Sequence, residues 1–582
     1  MKSLQGGNFL IAATDKTDIF IPEELSFEQK ELANLAARFS MREVFSQSEK
    51  IEELNYELSR ELVRKAGEQG LLLADIPTNY NGLGLDKLSS MLISENFSHQ
   101  GSFSVTINCH LGIGTLPLLY YGTEDQKKRY LPKLATGEII SAYSLTEADA
   151  GTDALSIKTK AKLAEDKKHY LLNGEKVFCT NGGLADLITV FAKVDGDKFT
   201  AFLVEKNFPG VVIAKEENKM GIKGASTTAI SFQNAQIPVE NVLGEVGQGH
   251  KIAFNVLNLG RAKLGAACVG GMKRSLEIMT SYANQRYQFG KPIAEFQLIQ
   301  EKVANSAVKT YLAESMIYRL WGDIAQLDKQ AQDKIKFLQE FAAESSMAKV
   351  FCSEALQTIN DNALQVHGGY GYMHDYPVEH NFRNARINSI FEGTNEINRL
   401  IISQVLLKRA LAGRLPLLER LQEILVELKS GLAPIDANQP LSTYIDQVER
   451  LKRLTIYVAG VAAQTFTTDL ENQQTILAFI ADLATATYTL ESGLIRCLKV
   501  MTMENIDSKI HEAAIKVAIA EQVPALNTRA RQALINIAKG NEAIAGPYLK
   551  AFDRIAAYCF TNTSSLKETI AKHVLEREMY DL

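Results

Sequence analysis

Glu392 stands between an apolar pair, Ile390 and Phe391, and the dipeptide Gly393-Thr394, within the stretch 386–400. Apolar neighbours point to partial desolvation, which raises a carboxylate's pKa and makes it a stronger base. Gly393 removes one side chain beside it, so a ligand can approach the backbone closely. Helical spacing resumes with Ile397, Leu400 and Ile401, so the acid is expected where a loop feeds a helix. Taken alone, the pattern also describes an ordinary acid near a helix start, favoured by the helix dipole.

Four more stretches carry chemistry-bearing residues. Tyr143 to Asp153 combines hydroxyls, a glycine and a Thr152-Asp153 pair, suited to hydrogen-bonding the edge of a polar ring. In Phe178 to Gly183 an aromatic and the Thr180 hydroxyl lie two apart on one strand face, where a planar cofactor can stack or Phe178 can serve as core. Arg286 to Lys291 places an arginine at a helix end, where it can pair with a phosphate or simply stay solvated. Gln365 to Tyr372 is a glycine-rich turn, a weak signal by itself. The sequence has no G-x-G-x-x-G between strand and helix and no G-x-x-x-x-G-K-[ST], so neither dinucleotide-fold nor P-loop chemistry is indicated.

The elements that must position these residues follow an α–β–α order. Residues 1–25 read as an arm and 26–141 as a helical domain. From 142 to 249 short β-rich runs take over, read as a small antiparallel domain, with Asn173-Gly174 and Asp195-Gly196 as hairpin signals. Helical pattern returns over 250–412, with long helices expected around 251–284, 296–328 and 333–364, and a further helical domain fills 413–582. The fold class is therefore α+β.

A chain of 582 residues, 46% hydrophobic, suggests three or four domains, and a net charge of -5 does not imply a nucleic-acid partner. Six scattered cysteines without a C-x-x-C pair fit reduced thiols, and nine histidines without H-E-x-x-H give no metal centre. The first residues show the pattern of neither a signal nor a transit peptide, so a cytoplasmic setting is expected. No run of eighteen apolar residues occurs, so no membrane span is expected.

The stretches 143–153, 176–183, 220–223, 242–245, 286–291, 365–371 and 391–395 together, and in this order, resemble the acyl-CoA dehydrogenases. The resemblance covers about residues 26–408; the long tail, Asn258 to Arg261 and Leu298 to Lys302 look most like the very-long-chain branch. It implies that family's fold (a helical, a β and a four-helix-type domain) plus an extra helical domain. It also implies noncovalent FAD and oxidation of a fatty acyl-CoA to trans-2-enoyl-CoA, the first step of β-oxidation, with an electron-transferring flavoprotein as electron acceptor. Glu392 falls on the position of the base that removes the α-proton. Some branches place that base just before the arginine matching Arg261, where this chain has Gly260.

By the same resemblance Tyr143, Leu145, Thr146, Phe178 and Thr180 line the flavin ring. Arg286, Gln288 and Phe289, with Gln365 and Gly369, meet its pyrophosphate and adenosine part across a subunit interface. Thr394 and Glu396 touch the cofactor from the catalytic loop, while Gly151, Thr152, Asn258, Arg261 and Gly393 serve the acyl-CoA. One departure is Phe178, where the family usually has Trp; the π-face survives and the indole N–H does not. A homodimer is implied, the tail covering a surface that shorter members use for tetramers. The stripe Leu417, Leu421, Ile424, Leu425 and Leu428 is expected to be buried, with membrane contact disfavoured because the segment is not especially basic. Acyl-CoA oxidases, and non-catalytic relatives serving assembly, remain open alternatives.

Overall fold

The computed structural model describes residues 4–330, 334–432, 435–504, 506–556 and 558–582. Its first long helix, α1 (Phe27–Phe39), starts at a reciprocal cap: the Gln29 amide donates to Ser26 Oγ, and the Ser26 amide to the Gln29 side chain. Helix α2 (Lys87–Asn96) is capped by Asp86, and α3 (Gly101–Cys109) by Gln100. The stretch Gly101–Tyr121 is long and apolar enough to cross a membrane by length and composition alone. Since 83% of its most apolar window is buried inside the protein, it serves as a core segment.

Strands β1 (Ser141–Ser144), β2 (Lys160–Leu163), β3 (His169–Thr180), β4 (Leu187–Val194), β5 (Lys198–Glu205), β6 (Val211–Glu216), β7 (Thr227–Pro238) and β8 (Val242–Leu243) form one sheet. Its order is β6-β7-β3-β2-β4-β5-β8, with β1 alongside β4. Most pairings are antiparallel, but β1 and β2 both run parallel to β4, so the sheet is mixed. Asp195 and Gly196 turn β4 into β5 with left-handed φ of 51° and 93°.

Asn173-Gly174 does not make the hairpin its sequence suggests. Strand β3 runs straight through it, with a shift in register against β7 between Leu172 and Gly174. Asn173 exchanges hydrogen bonds with Asn234 on β7, and a Cβ on Gly174 would lie 2.6 Å from Thr159 Oγ1. The glycine here serves a bulge and a close approach, both of which share the composition of a turn.

Helices α4 (Gly249–Gln285), α5 (Gln297–Gln330), α6 (Ala342–Val366), α7 (Pro377–Ala385) and α8 (Asn395–Leu411) build the second helical unit. Helix α6 packs along α4, and α2 crosses α4 so closely that a Cβ on Gly270 would sit 1.9 Å from the Glu95 carbonyl. The single helix expected over 333–364 is instead two: Lys334–Glu340, then α6 after Phe341 leaves helical geometry at φ -102°, ψ 31°. Residue 333 itself lies outside the described residues.

The tail adds α9 (Ser442–Phe466), α10 (Gln474–Val500), α11 (Lys509–Ile537) and α12 (Thr563–Arg577). Helix α12 packs on α5, and α10 on both α5 and α8, so one hydrophobic core runs through both halves. Of the predicted stripe, Leu421, Ile424 and Leu428 are buried, Leu417 is half-buried, and Leu425 faces out. The arm also docks: buried Arg496 of α10 donates to Glu23, to Glu314 of α5 and to the Leu582 carbonyl.

Candidate active site

Thr394 caps α8, its hydroxyl accepting from the Ile397 amide. Immediately before it, Glu392 and Gly393 are both left-handed, at φ 58° and 83°. For a glutamate this conformation costs about 1–3 kcal/mol and persists only where its surroundings impose it. Three helices supply that constraint. From α4, Arg261 Nε donates to the Glu392 carbonyl at 3.1 Å; from α6, Lys349 Nζ donates to the Gly393 carbonyl at 2.8 Å. From α8, Asn398 Nδ2 donates to the carbonyls of Gly393 and Thr394 at 2.8 and 3.0 Å. Asn258 orients Arg261, accepting from its guanidinium at 3.0 Å while donating to the Leu338 carbonyl.

The turn aims the carboxylate at α4, where a Cβ on Gly260 would lie 3.1 Å from Glu392 Oε2. A larger residue at 260 would crowd the acid. Glu392 as a residue is only partly covered, yet its Oε2 is buried and has no hydrogen-bond partner. Burial pushes the Glu392 carboxyl up to about 7, with Arg261 and then Lys349 pulling the other way. That leaves an acceptor poised between its charged and neutral forms near neutral pH.

Glu392 lines one end of a cavity that follows a single face of α4, through Gly260, Leu264, Cys268, Gly271 and Ser275. The opposite wall is α3 and its continuation, with Gly101, Ser104, Asn108 and Gly112. Lys263 contributes its methylenes to the wall, while its ammonium donates to Ser90 and Asp75 at 2.6 and 3.0 Å. Asn108 folds back onto the Ser104 carbonyl at 3.0 Å and leaves its own Oδ1 unpartnered. Arg274, Ser275, Asn360 and Asn381 make the far end polar.

A second cavity is lined by Arg286, Gln288, His367, Gly368, Gly369 and Tyr370, among others. Tyr282 stacks on His367 with ring centroids 3.9 Å apart, and the Arg286 guanidinium lies over Tyr370. A Cβ on Gly369 would meet nothing within 4 Å.

Thr180 shares the first cavity with Glu392. Tyr143 is buried edge-on against Phe191, its hydroxyl without a partner. Leu145 packs against the core, and the Thr146 carbonyl accepts from the Val177 amide. Phe178 is 65% exposed at a left-handed φ of 56°, so it is not core. Glu396 lies in the first turn of α8, its carboxyl held below the usual range by its own amide and Thr394. Gly151 and Thr152 sit on an exposed loop outside both cavity walls; Gln365, exposed in the last turn of α6, and the almost fully exposed Phe289 also lie outside them.

Sequence reasoning passed over three residues that position this site. Lys349 and Asn398 hold the Glu392-Gly393 turn, and Lys176 donates to Glu147 at 2.7 Å, a carboxylate that also accepts from the Lys158 and Thr159 amides. The Glu147 pair fixes the 143–153 loop against the sheet. Only Lys349 left a signal, a lone lysine inside an otherwise buried helix face.

Family models for the acyl-CoA dehydrogenase N-terminal, middle and C-terminal domains match residues 26–138, 142–235 and 247–407. The chain belongs to the acyl-CoA dehydrogenase family. A further acyl-CoA dehydrogenase C-terminal domain model matches 450–545 in the tail. A probable acyl-CoA dehydrogenase of Bacillus subtilis is 42% identical over 99% of this chain and 98% of its own length. The mitochondrial very long-chain specific acyl-CoA dehydrogenase of Mus musculus is 39% identical over 66% of this chain and 58% of its own length. An acyl-CoA dehydrogenase complexed with FAD from Bacillus anthracis superimposes with a TM-score of 0.96 at 42% identity, covering 99% of this chain and all of that one.

This acyl-CoA dehydrogenase is an FAD-dependent oxidoreductase, and its own residues fit the cofactor. Phe178 offers an open aromatic face, the buried hydroxyl of Tyr143 lacks a partner, and Arg286 faces a cavity that glycine keeps wide. If Arg286 meets the FAD pyrophosphate, Arg286→Ala should lower retained FAD, because such a contact is charge-assisted. The measurement is flavin-to-protein absorbance after gel filtration, and an unchanged ratio would count against that role.

Proposed function

We propose that this acyl-CoA dehydrogenase oxidises long-chain fatty acyl-CoA to trans-2-enoyl-CoA and passes its electrons to an electron-transferring flavoprotein. The observation that carries this reading is the unpartnered Glu392 Oε2 at the head of a long groove. Bound FAD supplies the acceptor for the β-hydride. Glu392 takes the α-proton, its left-handed backbone holding the carboxylate against α4. The Glu392 N–H has no backbone acceptor among the described residues, which leaves it for the thioester oxygen and the charge that develops there. Arg261 and Lys349 favour the ionised carboxylate, and burial favours its protonation once the proton arrives. Glu392→Gln should keep FAD and substrate binding yet lose flavin reduction by at least about a thousandfold. In the parent, reduction should speed up as pH rises through about 7, where Glu392 ionises. Stopped-flow bleaching of the flavin across pH decides both.

We infer a chain length from the groove as well. From Gly260 to Ser275 the lined face of α4 spans about 22 Å at 1.5 Å per residue. An extended chain advances about 1.2 Å per bond, so roughly eighteen bonds fit before the polar end stops an apolar tail. Each buried methylene adds up to about 0.8 kcal/mol, roughly fourfold in affinity. Anaerobic titration should therefore show bleaching at the lowest ligand excess for acyl chains of about sixteen carbons, with four-carbon chains weakest. Slow recovery of colour in air would accompany this in a dehydrogenase, and rapid recovery would mark an oxidase.

A homodimer is part of the proposal. Tyr287, Phe289, Leu298 and Tyr372 are exposed around the Arg286 cavity, an apolar surface suited to a second copy. The tail covers α5 and α8 instead. Light scattering should give about twice the 64.3 kDa chain mass, and truncation near Gly413 should yield larger species. A full-length tetramer would refute it.

A further inference from the structure

Lys349 is wholly buried, and its two acceptors are neutral oxygens, the Gly393 carbonyl at 2.8 Å and Asn395 Oδ1 at 2.7 Å. A buried ammonium is costly, and such sites usually spend a carboxylate on it. Here the charge is left to act at a distance, and Glu392 is among the groups it acts on. Asn395 is itself fixed, donating to Ser353 Oγ at 3.0 Å and Glu354 Oε1 at 3.1 Å, so the ammonium cannot drift. We infer that Lys349 is a positioning residue for proton abstraction. It pins the Gly393 carbonyl so that the left-handed turn presents Glu392, and its positive charge keeps that carboxylate ionised.

The titratable and charged groups facing this pair are Arg261 and Cys268 on α4, Glu354 on α6, Tyr143 on β1 and Cys109 on α3. Only Arg261 adds another positive charge, and its guanidinium is engaged by the Glu392 carbonyl and Asn258. Burial lowers the Lys349 ammonium to about 8, which still leaves it mostly charged where Glu392 titrates.

The test uses the FAD-loaded, full-length protein and the pH dependence of flavin reduction by a long-chain acyl-CoA. Lys349→Gln keeps a donor for the carbonyl but removes the charge; Lys349→Met removes both. The rising limb should move alkaline by about one pH unit in both. The limiting rate should fall at least about tenfold further in Lys349→Met than in Lys349→Gln, with acyl-CoA binding little changed. Asn395→Asp sets a carboxylate against Lys349 while leaving the lysine itself in place, so it carries the test if substitution at 349 costs the fold. Its limb should also move alkaline. A limb within about 0.2 pH units of the parent in Lys349→Gln and Asn395→Asp overturns the inference. The inference rests on Glu392 as the base. Full activity in Glu392→Gln would remove that premise, whereas an unmoved limb beside an inactive Glu392→Gln refutes only the role of Lys349.

Discussion

Two consecutive left-handed residues turn the carbonyls of Glu392 and Gly393 inward, and three surrounding helices are arranged to receive them. Arg261, Lys349 and Asn398 come from three helices and meet at this one turn. The arrangement solves two problems together. Buried cations find partners in backbone dipoles, and the nearby carboxylate keeps an oxygen free for a proton. Had Arg261 or Lys349 closed an ion pair with Glu392, the acid would be held ionised and far less basic. The same helices wall the groove, so the register of α4 sets both where the Glu392 carboxylate points and how far the groove runs beyond it.

Much of this was written locally in the sequence. Glu392 between Phe391 and Gly393, and α8 resuming at Ile397, follow from side-chain type and period. Asp195-Gly196 turned as its residues demand. Asn173-Gly174 did not, because bulges and hairpins use the same residues, and only the neighbouring strand decides between them. Phe178 had two local readings, and its exposure chose one. Lys349 stayed hidden for a different reason. A lysine in a helix carries no mark of which backbone carbonyl, 44 residues away in the chain, it will meet.

The tail is part of the core and not an appendage. Glu491 of α10 pairs with Arg319 of α5 at 2.8 Å and accepts from Thr14 of the arm at 3.1 Å, while Lys452 of α9 donates to the same threonine. These groups are buried, so each depends on the others for its partners. Loosening the arm would strip the Thr14 hydroxyl from Glu491 and Lys452, which would keep only each other and their remaining charged partners.

The joint at Arg496 bears on how the chain reaches its native state. Glu23 and Arg496 are 473 residues apart, and their contact closes nearly the whole polypeptide into a loop. Closing a long loop costs entropy before its contacts repay it, so such contacts form late and slow the search. A nascent chain that has emerged only through α8 has α5 and α8 exposed where α10 and α12 will pack. Such apolar surface invites association before synthesis ends. Holdase chaperones acting on that intermediate would therefore raise the yield of native enzyme more than they would for a relative lacking the tail.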